Sequence, residues 1–464
     1  MVTAESSPLY DPRHGRLVIA TAVSANLLGN IGLIGVNVAA PAISADLSLS
    51  AVEISWLSLA TLMAMAMFSA PTARLSDVVG RRPVTVVGLW VAIVGSILGA
   101  FAYSPWVMFV SRAVTGLGLV AFFTTVTTMA VEAHPPDKRG RVLGITVSSV
   151  YVGLSLGPLL SGLLVENFGW RALFWFTTVG LIPPVVLVHF VKNEPPLAPF
   201  DQLDYAGSLY WAAAVALIFA GLASLGLNLS LLAIALGLCL LAFFVTRSKK
   251  LASPILDIAL FANRRFSFSS LAAYIGYLSS FSVSFLLSLY LQYSKGLRPS
   301  EAGLLLISQP VVQAIITPFA GRFSDRFDPG RLASLGLAII LAAILDFALN
   351  LSAETSLGAL VFNMGLFGAG FALFSAPNSN AIMGAVPPSR IGQASGVITV
   401  TRLWGQISSV AITTMVFSLV IGSGKITPDL YPLFIKAART CFWLFAPLAL
   451  LGIAASLARG KVSD

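Results

Sequence analysis

HPPDKRGRVLGITVSS (134–149) is echoed by VPPSRIGQASGVITV (386–400). Both have Pro-Pro, a basic residue, Gly, three residues, Gly, then a small β-branched stretch; Gly140 and Gly392 stand 252 positions apart. A second pair repeats nearly the same spacing. ARLSDVVGRR (73–82) matches GRFSDRFDPGR (321–331), with Arg74, Ser76 and Asp77 against Arg322, Ser324 and Asp325 at an offset of 248. Two echoes at almost one spacing predict two related six-helix halves, 1–192 and 261–464. The segment between them, 193–260, is predicted to carry two further helices.

What surrounds the echoes is apolar. Of 464 residues 57% are hydrophobic and 10% charged, against about 25% charged in a soluble protein. Such a chain cannot solvate its own surface, so most of that surface must face lipid. Soluble enzymes and nucleic-acid binders drop out. Cys239 and Cys441 sit in different apolar runs, which predicts free thiols. The polar N-terminus is no cleavable signal, so the first apolar run is expected to stay in the membrane.

A helix crossing the hydrocarbon needs about 20 apolar residues. Fourteen runs qualify: 17–43, 52–72, 84–103, 106–131, 141–165, 171–191, 206–227, 229–247, 266–293, 301–321, 331–351, 356–383, 391–422 and 437–458. The seventh and eighth form a tight hairpin or one re-entrant pair. With the N-terminus in the cytoplasm, 20 of the 28 Lys and Arg residues fall in cytoplasmic loops and tails. That asymmetry is the positive-inside pattern, and it accounts for the net charge of +9 without a nucleic acid. Both termini are expected in the cytoplasm. Arg112 and Arg402 fall within spans.

Repeated halves in a membrane protein point to a transporter, with a central site between the halves and access alternating by rocking. Particular motifs sharpen this: VNVAAPAI in the first span, EISWLSLATLM, ARLSDVVGRR, and FVSRAVTGLG in the fourth. VGLSLGPLLSGLL and GWRALFWF follow in the fifth and sixth, then SLYLQYSKGLRPSEAGLL and the TVTRLWGQISSVAI of the thirteenth. Over almost its whole length the chain resembles the major facilitator superfamily, in its fourteen-helix drug:proton antiporter branch.

The resemblance implies an all-α membrane fold and roles for particular residues. Asp77, Gly80, Arg81 and Arg82, with Asp325 in the second half, would form a cytoplasmic latch between the halves. Arg112 would be a charge that responds to proton or substrate binding, and an intramembrane arginine usually faces a cavity or a partner. Arg402 is similar. Gly153, Gly157, Pro158 and Gly162 would be the antiporter signature; the first two form a small-xxx-small face for close packing, and the proline bends its helix.

The chain also departs from the pattern. Ala73 and Val78 replace a usual glycine and a common basic residue, Gly32 takes the place of a first-span aspartate, and Thr61 that of a tyrosine. Proton coupling needs a carboxyl group whose burial raises its pKa. Asp346, read as the deepest acid, and then Glu132 are the candidates. Asn30, Asn37, Gln309, Gln313 and Asn378 are expected among the polar lining, with Tyr277 and Trp404 among the aromatic lining.

The leading reading is export of small organic molecules by proton antiport. Two intramembrane arginines without a central acid favour neutral or anionic substrates. The alternatives are a uniporter or organic-anion exchanger that lacks the first-span proton site, and a membrane scaffold. No phosphate-binding GxxxxGK[ST] loop occurs, and no cofactor or metal is expected. The expected setting is the inner plasma membrane, as a monomer.

Overall fold

The computed structural model describes residues 12–135, 138–192, 203–224, 229–251, 254–324, 326–387, 390–422 and 424–460. Among the described residues, fourteen helices are long and apolar enough to cross a membrane. They are α1 (Pro12–Leu47), α2 (Ala51–Val79), α3 (Arg81–Ala100), α4 (Pro105–Glu132), α5 (Arg139–Phe168), α6 (Arg171–Phe190) and α7 (Tyr205–Ala223). Next come α8 (Ser230–Ser248), α9 (Arg264–Ser294), α10 (Pro299–Ser324), α11 (Pro329–Asn350), α12 (Leu357–Met383), α13 (Gln393–Val420) and α14 (Pro428–Ala458). An even number of crossings puts both chain ends on one side, called here the terminal face. The echoed sequences fall at equivalent junctions: α2–α3 against α10–α11, and α4–α5 against α12–α13.

Local chemistry sets the ends and breaks. Ser50 and Glu53 cap α2 reciprocally, the Ser50 amide donating to Glu53 Oε2 at 2.8 Å. Gly80, at φ +99°, turns α2 into α3 in one residue, a conformation costly for any side chain. Pro183 breaks α6 at Leu181, and Pro310 breaks α10 at Ile307. A π turn closes α9 at Tyr290–Ser294.

Glycine decides the closest helix pair. On α3 and α4, a Cβ at Gly88, Gly95 or Gly118 would run into backbone of the partner helix, so these helices cross at nearly backbone contact. α7 and α8 pack on one another, and α7 lies across α2 and α13. α8 faces outward, with Leu231, Leu232, Leu236 and Leu238 exposed, the apolar surface lipid requires.

The first echo is wired to its surroundings by Arg82, which donates to the Val188 and His189 carbonyls at the end of α6 at 3.0 and 2.9 Å. In the second echo Gly330 stands where Arg82 does in the first. There the arginine comes from the other side. Arg459, at the end of α14, passes over Gly330 and donates to the Ser456 carbonyl at 2.6 Å and Ser269 Oγ at 3.3 Å. Burial draws its guanidinium down to about 10, against the pull of Asp328. The same junction is thus pinned from α3 in one place and from α14 in the other.

Candidate functional site

Away from the terminal face, α1–α6 and α9–α14 are drawn together. Gly162 of α5 lies against Pro299 and Ser300 of α10, and Gly303 of α10 against Pro158 and Leu159 of α5. Ser288 Oγ donates to the Asn37 carbonyl at 2.8 Å, and Gln292 Nε2 to the Val38 carbonyl at 3.0 Å, tying α9 to α1. The Ala51 amide donates to the Gly424 carbonyl at 3.0 Å. At the rim Arg298 bridges Glu166 at 3.0 Å and Glu301 at 2.8 Å.

The terminal-face ends of α5 and α10 are different. Positions 141, 143, 144, 145, 147 and 148 are all exposed, and only the sector of Val142, Thr146 and Ser149 is covered. At 100° per residue the exposed set runs most of the way round the helix. A Cβ at Gly140, Gly144 or Gly321 would meet nothing within 4 Å. The molecule is sealed on the face opposite the termini and parted between α5 and α10 on the terminal face.

A polar cluster lies at mid-depth above this opening. The Tyr151 hydroxyl of α5 interacts with the side chains of Thr317 and Gln313 of α10 and, electrostatically, with Tyr277 of α9 and Arg402 of α13. Tyr277 Oη stands 3.4 Å from Ser375 Oγ of α12. Gly405 brings α13 against Tyr274 and Tyr277, so Arg402, one turn away, shares that face. Arg402 is half-buried. Of this cluster, Arg402, Gln313 and Tyr277 are among the residues expected from the sequence, and Tyr151 is not. Its signal was a lone phenol two residues before Gly153, in a helix otherwise free of aromatics until Phe168.

Other expected site residues lie elsewhere. Asp346 is the main correction. It is exposed, one turn from the end of α11, and accepts a hydrogen bond from Asn350 Nδ2 at 2.7 Å. It therefore lies at the rim opposite the termini and is not a deep acid. Arg112 is 2% exposed and donates through Nε to the Leu57 carbonyl at 3.1 Å, within the first six helices. It borders a small void among α1, α3, α4 and α6, away from the seam between the two sets of six.

The amides are tied to helix neighbours. Asn30 donates to the Asn26 carbonyl at 2.7 Å, and Asn37 Oδ1 accepts from Ser58 at 2.8 Å. Gln309 Oε1 accepts from Ser284 at 2.8 Å, and Asn378 donates to the Ser269 carbonyl at 3.0 Å. Gly153 packs on Leu27 and Asn30 of α1, Gly157 on Ile31, while Pro158 and Gly162 face α10.

At the α2–α3 turn, Asp77 lies 4.0 Å from Arg74, and Arg81 pairs with Glu132 at the end of α4. Asp325 lies outside the described residues. An arginine at a helix start and a glutamate at a helix end each oppose the helix dipole, and the pair offsets both. Glu132→Gln is expected to lower stability by about 0.5–1 kcal/mol, because the Glu132 side chain is 39% exposed and screening weakens the pair. Thermal unfolding of the purified protein checks this; an unchanged midpoint would show that the pair adds nothing.

Every described carboxylate lies in a loop or within about one turn of a helix end: Asp46, Glu53, Asp77, Glu132, Glu166, Asp204, Asp257, Glu301, Asp328, Asp346, Glu354 and Asp429. None of the remaining acids in the sequence falls within a span. Arg112 and Arg402 lie seven and nine residues from the nearer ends of α4 and α13.

Fourteen crossing helices, sealed on one face and parted on the other around a polar cluster, define an integral membrane transporter and not an enzyme. The chain belongs to the Major Facilitator Superfamily, whose family model matches residues 19–252 and 269–462. It is 25% identical over 418 residues to the riboflavin transporter RibZ of Clostridioides difficile (strain 630), covering 90% of this chain and 91% of that one. It is 28% identical to the multidrug resistance protein Stp of Mycobacterium tuberculosis (strain ATCC 25618 / H37Rv), covering 81% and 71%. A solved structure, described as giving structural insights into substrate recognition in proton dependent oligopeptide transporters, superposes with a TM-score of 0.68. It is 15% identical and the match covers 96% of this chain and 99% of that one, which shows the fold alone.

Proposed function

We propose that the protein exports small neutral or anionic organic molecules by alternating access, with α1–α6 rocking against α9–α14. The terminal face is then cytoplasmic, as the Lys and Arg placement favours, and the structure corresponds to the state that loads from inside. The observation that carries this reading is the sealed face opposite the parted ends of α5 and α10. The multidrug-resistance and riboflavin relatives support small organic cargo. In this reading the α2–α3 turn is a conformational latch.

Two coupling schemes fit. Proton antiport, implied by the family branch, has Glu132 and Asp77 as its carboxylates at the terminal face. Exchange or uniport needs no titrating carboxylate, and the position of the described acids near helix ends favours it, since a carboxyl group titrating near neutral pH is normally a buried one. Purified protein in liposomes loaded with a pH-sensitive dye separates the schemes. Riboflavin and neutral, anionic and cationic drug-like compounds are added in turn, with Glu132→Gln as control. Substrate counterflow without proton movement is expected. Proton release that Glu132→Gln abolishes would establish antiport through that residue, and absence of any counterflow would overturn the transport reading.

A further inference from the structure

Arg112 and Arg402 both lie within spans, and they differ in what surrounds them. Arg112 is sealed and hydrogen-bonded to backbone. Arg402 is half-buried, and among the described residues it has no hydrogen-bond or ion-pair partner. A guanidinium inside a membrane protein is costly unless something neutralises it. Here the protein supplies no neutraliser, because the carboxylates lie at the helix ends. Arg402 interacts electrostatically with Tyr151 of α5, which itself meets Gln313 and Thr317 of α10, and Gly405, one turn from Arg402, packs on Tyr277 of α9. Tyr151 and Arg402 are both half-buried, and Tyr151 lies one to two turns beyond the exposed terminal-face end of α5.

We infer that Arg402 is the recognition point for the anionic group of a planar aromatic substrate, held with the hydroxyl of Tyr151 at the seam between α5, α10 and α13. A guanidinium presents its N–H groups in a planar fork that suits a carboxylate or phosphate oxygen pair. The phenol adds a donor, and the Tyr151 and Tyr277 rings offer apolar faces to a flat molecule. A cationic ligand meets Arg402 with no compensating acid, so the site discriminates by charge. The neutraliser missing from the protein is then the substrate itself. This inference rests on the alternating-access reading above and names the substrate class for it.

The test uses the full-length protein in nanodiscs at constant ionic strength. Three planar dyes serve as probes: fluorescein (anionic), lumiflavin (neutral) and ethidium (cationic). Wild type is expected to bind fluorescein most tightly. Arg402→Gln is expected to weaken fluorescein binding at least about tenfold, with partial recovery in Arg402→Lys and little change for lumiflavin, because loss of a charged hydrogen-bonding group is worth about one decade or more. Equal fluorescein binding by Arg402→Gln, or tighter binding of ethidium by wild type, overturns the inference. A second measurement needs no variant. The arginine reagent phenylglyoxal is expected to modify Arg402 in wild type, read by peptide mass spectrometry, and saturating fluorescein is expected to protect it; modification without protection overturns the inference. Lumiflavin counterflow reports the transport reading separately. Counterflow kept while charge discrimination fails overturns the anion site alone, and counterflow lost in wild type overturns the reading beneath it.

Discussion

A Gly162→Leu protein is expected to reach the membrane and lose about four-fifths or more of its transport, because α5 can no longer close on α10 and overpacking of about 1–3 kcal/mol shifts a two-state balance by about fivefold to a hundredfold. A Cβ at position 162 would stand 2.8 Å from the Pro299 carbonyl carbon and 2.8 Å from the Ser300 Cα. Both are backbone atoms at the start of α10, so neither can turn aside as a side-chain tip would. One turn along, Gly303 meets Pro158 in the same way, its Cβ position 2.9 Å from that carbonyl carbon. The seal is therefore built from two reciprocal glycine contacts, and a bulky residue at one should part the helices at both. The reporter is Ser300→Cys in a background of Cys239→Ala and Cys441→Ala. A membrane-impermeant maleimide is expected to label it about tenfold faster in Gly162→Leu, matching that shift. Gly162→Ala should move labelling and transport in the same direction by less. Wild-type transport and unchanged labelling in Gly162→Leu would refute the seal.

The spans were legible in the sequence because lipid imposes one requirement on all of them, a run of about 20 apolar residues with internally satisfied backbone. The breaks at Leu181 and Ile307 were legible in principle from Pro183 and Pro310. The site was less so. Counted from the start of its span, Asp346 looks deep. The relevant measure is distance to the nearer end, and four residues at 1.5 Å each leave it about 6 Å from the end of α11. Asn30, Asn37 and Asn378 were visible as polar residues, but their direction depends on helix rotation. A helix with neighbours on most sides has no strong polar stripe to reveal that rotation. Arg402 was found by charge alone, which is the signal least obscured by packing. Tyr151 carries no charge and stands beside a run of glycines, so little in the sequence sets it apart from a packing residue.

The inserted pair gives the other large effect. Trp211→Ala is expected to lower the thermal midpoint by several degrees while leaving fluorescein binding within about threefold of wild type, since a buried Trp→Ala costs about 3–5 kcal/mol. Trp211 is 3% exposed and donates from Nε1 to the Ala66 carbonyl of α2 at 3.1 Å. Its ring lies 5.3 Å from Trp404 of α13 and 5.3 Å from Phe244 of α8, and Phe219 meets Trp404 edge-on at 5.5 Å. One side chain thus joins α7, α8, α2 and α13. α8 adds little of its own, because its outer leucines already face lipid and gain nothing hydrophobic by docking. Trp404 and Arg402 are two positions apart, about 200° around α13, so losing Trp211 disturbs the face turned away from the polar cluster. Trp211→Phe keeps the ring contact but not the hydrogen bond and should fall between. An unchanged midpoint in Trp211→Ala would mean that α7 is held by the bilayer and its own partner helix alone. A lowered midpoint with intact anion binding assigns the pair a bracing role across α2 and α13, and leaves recognition to the seam of α5, α10 and α13.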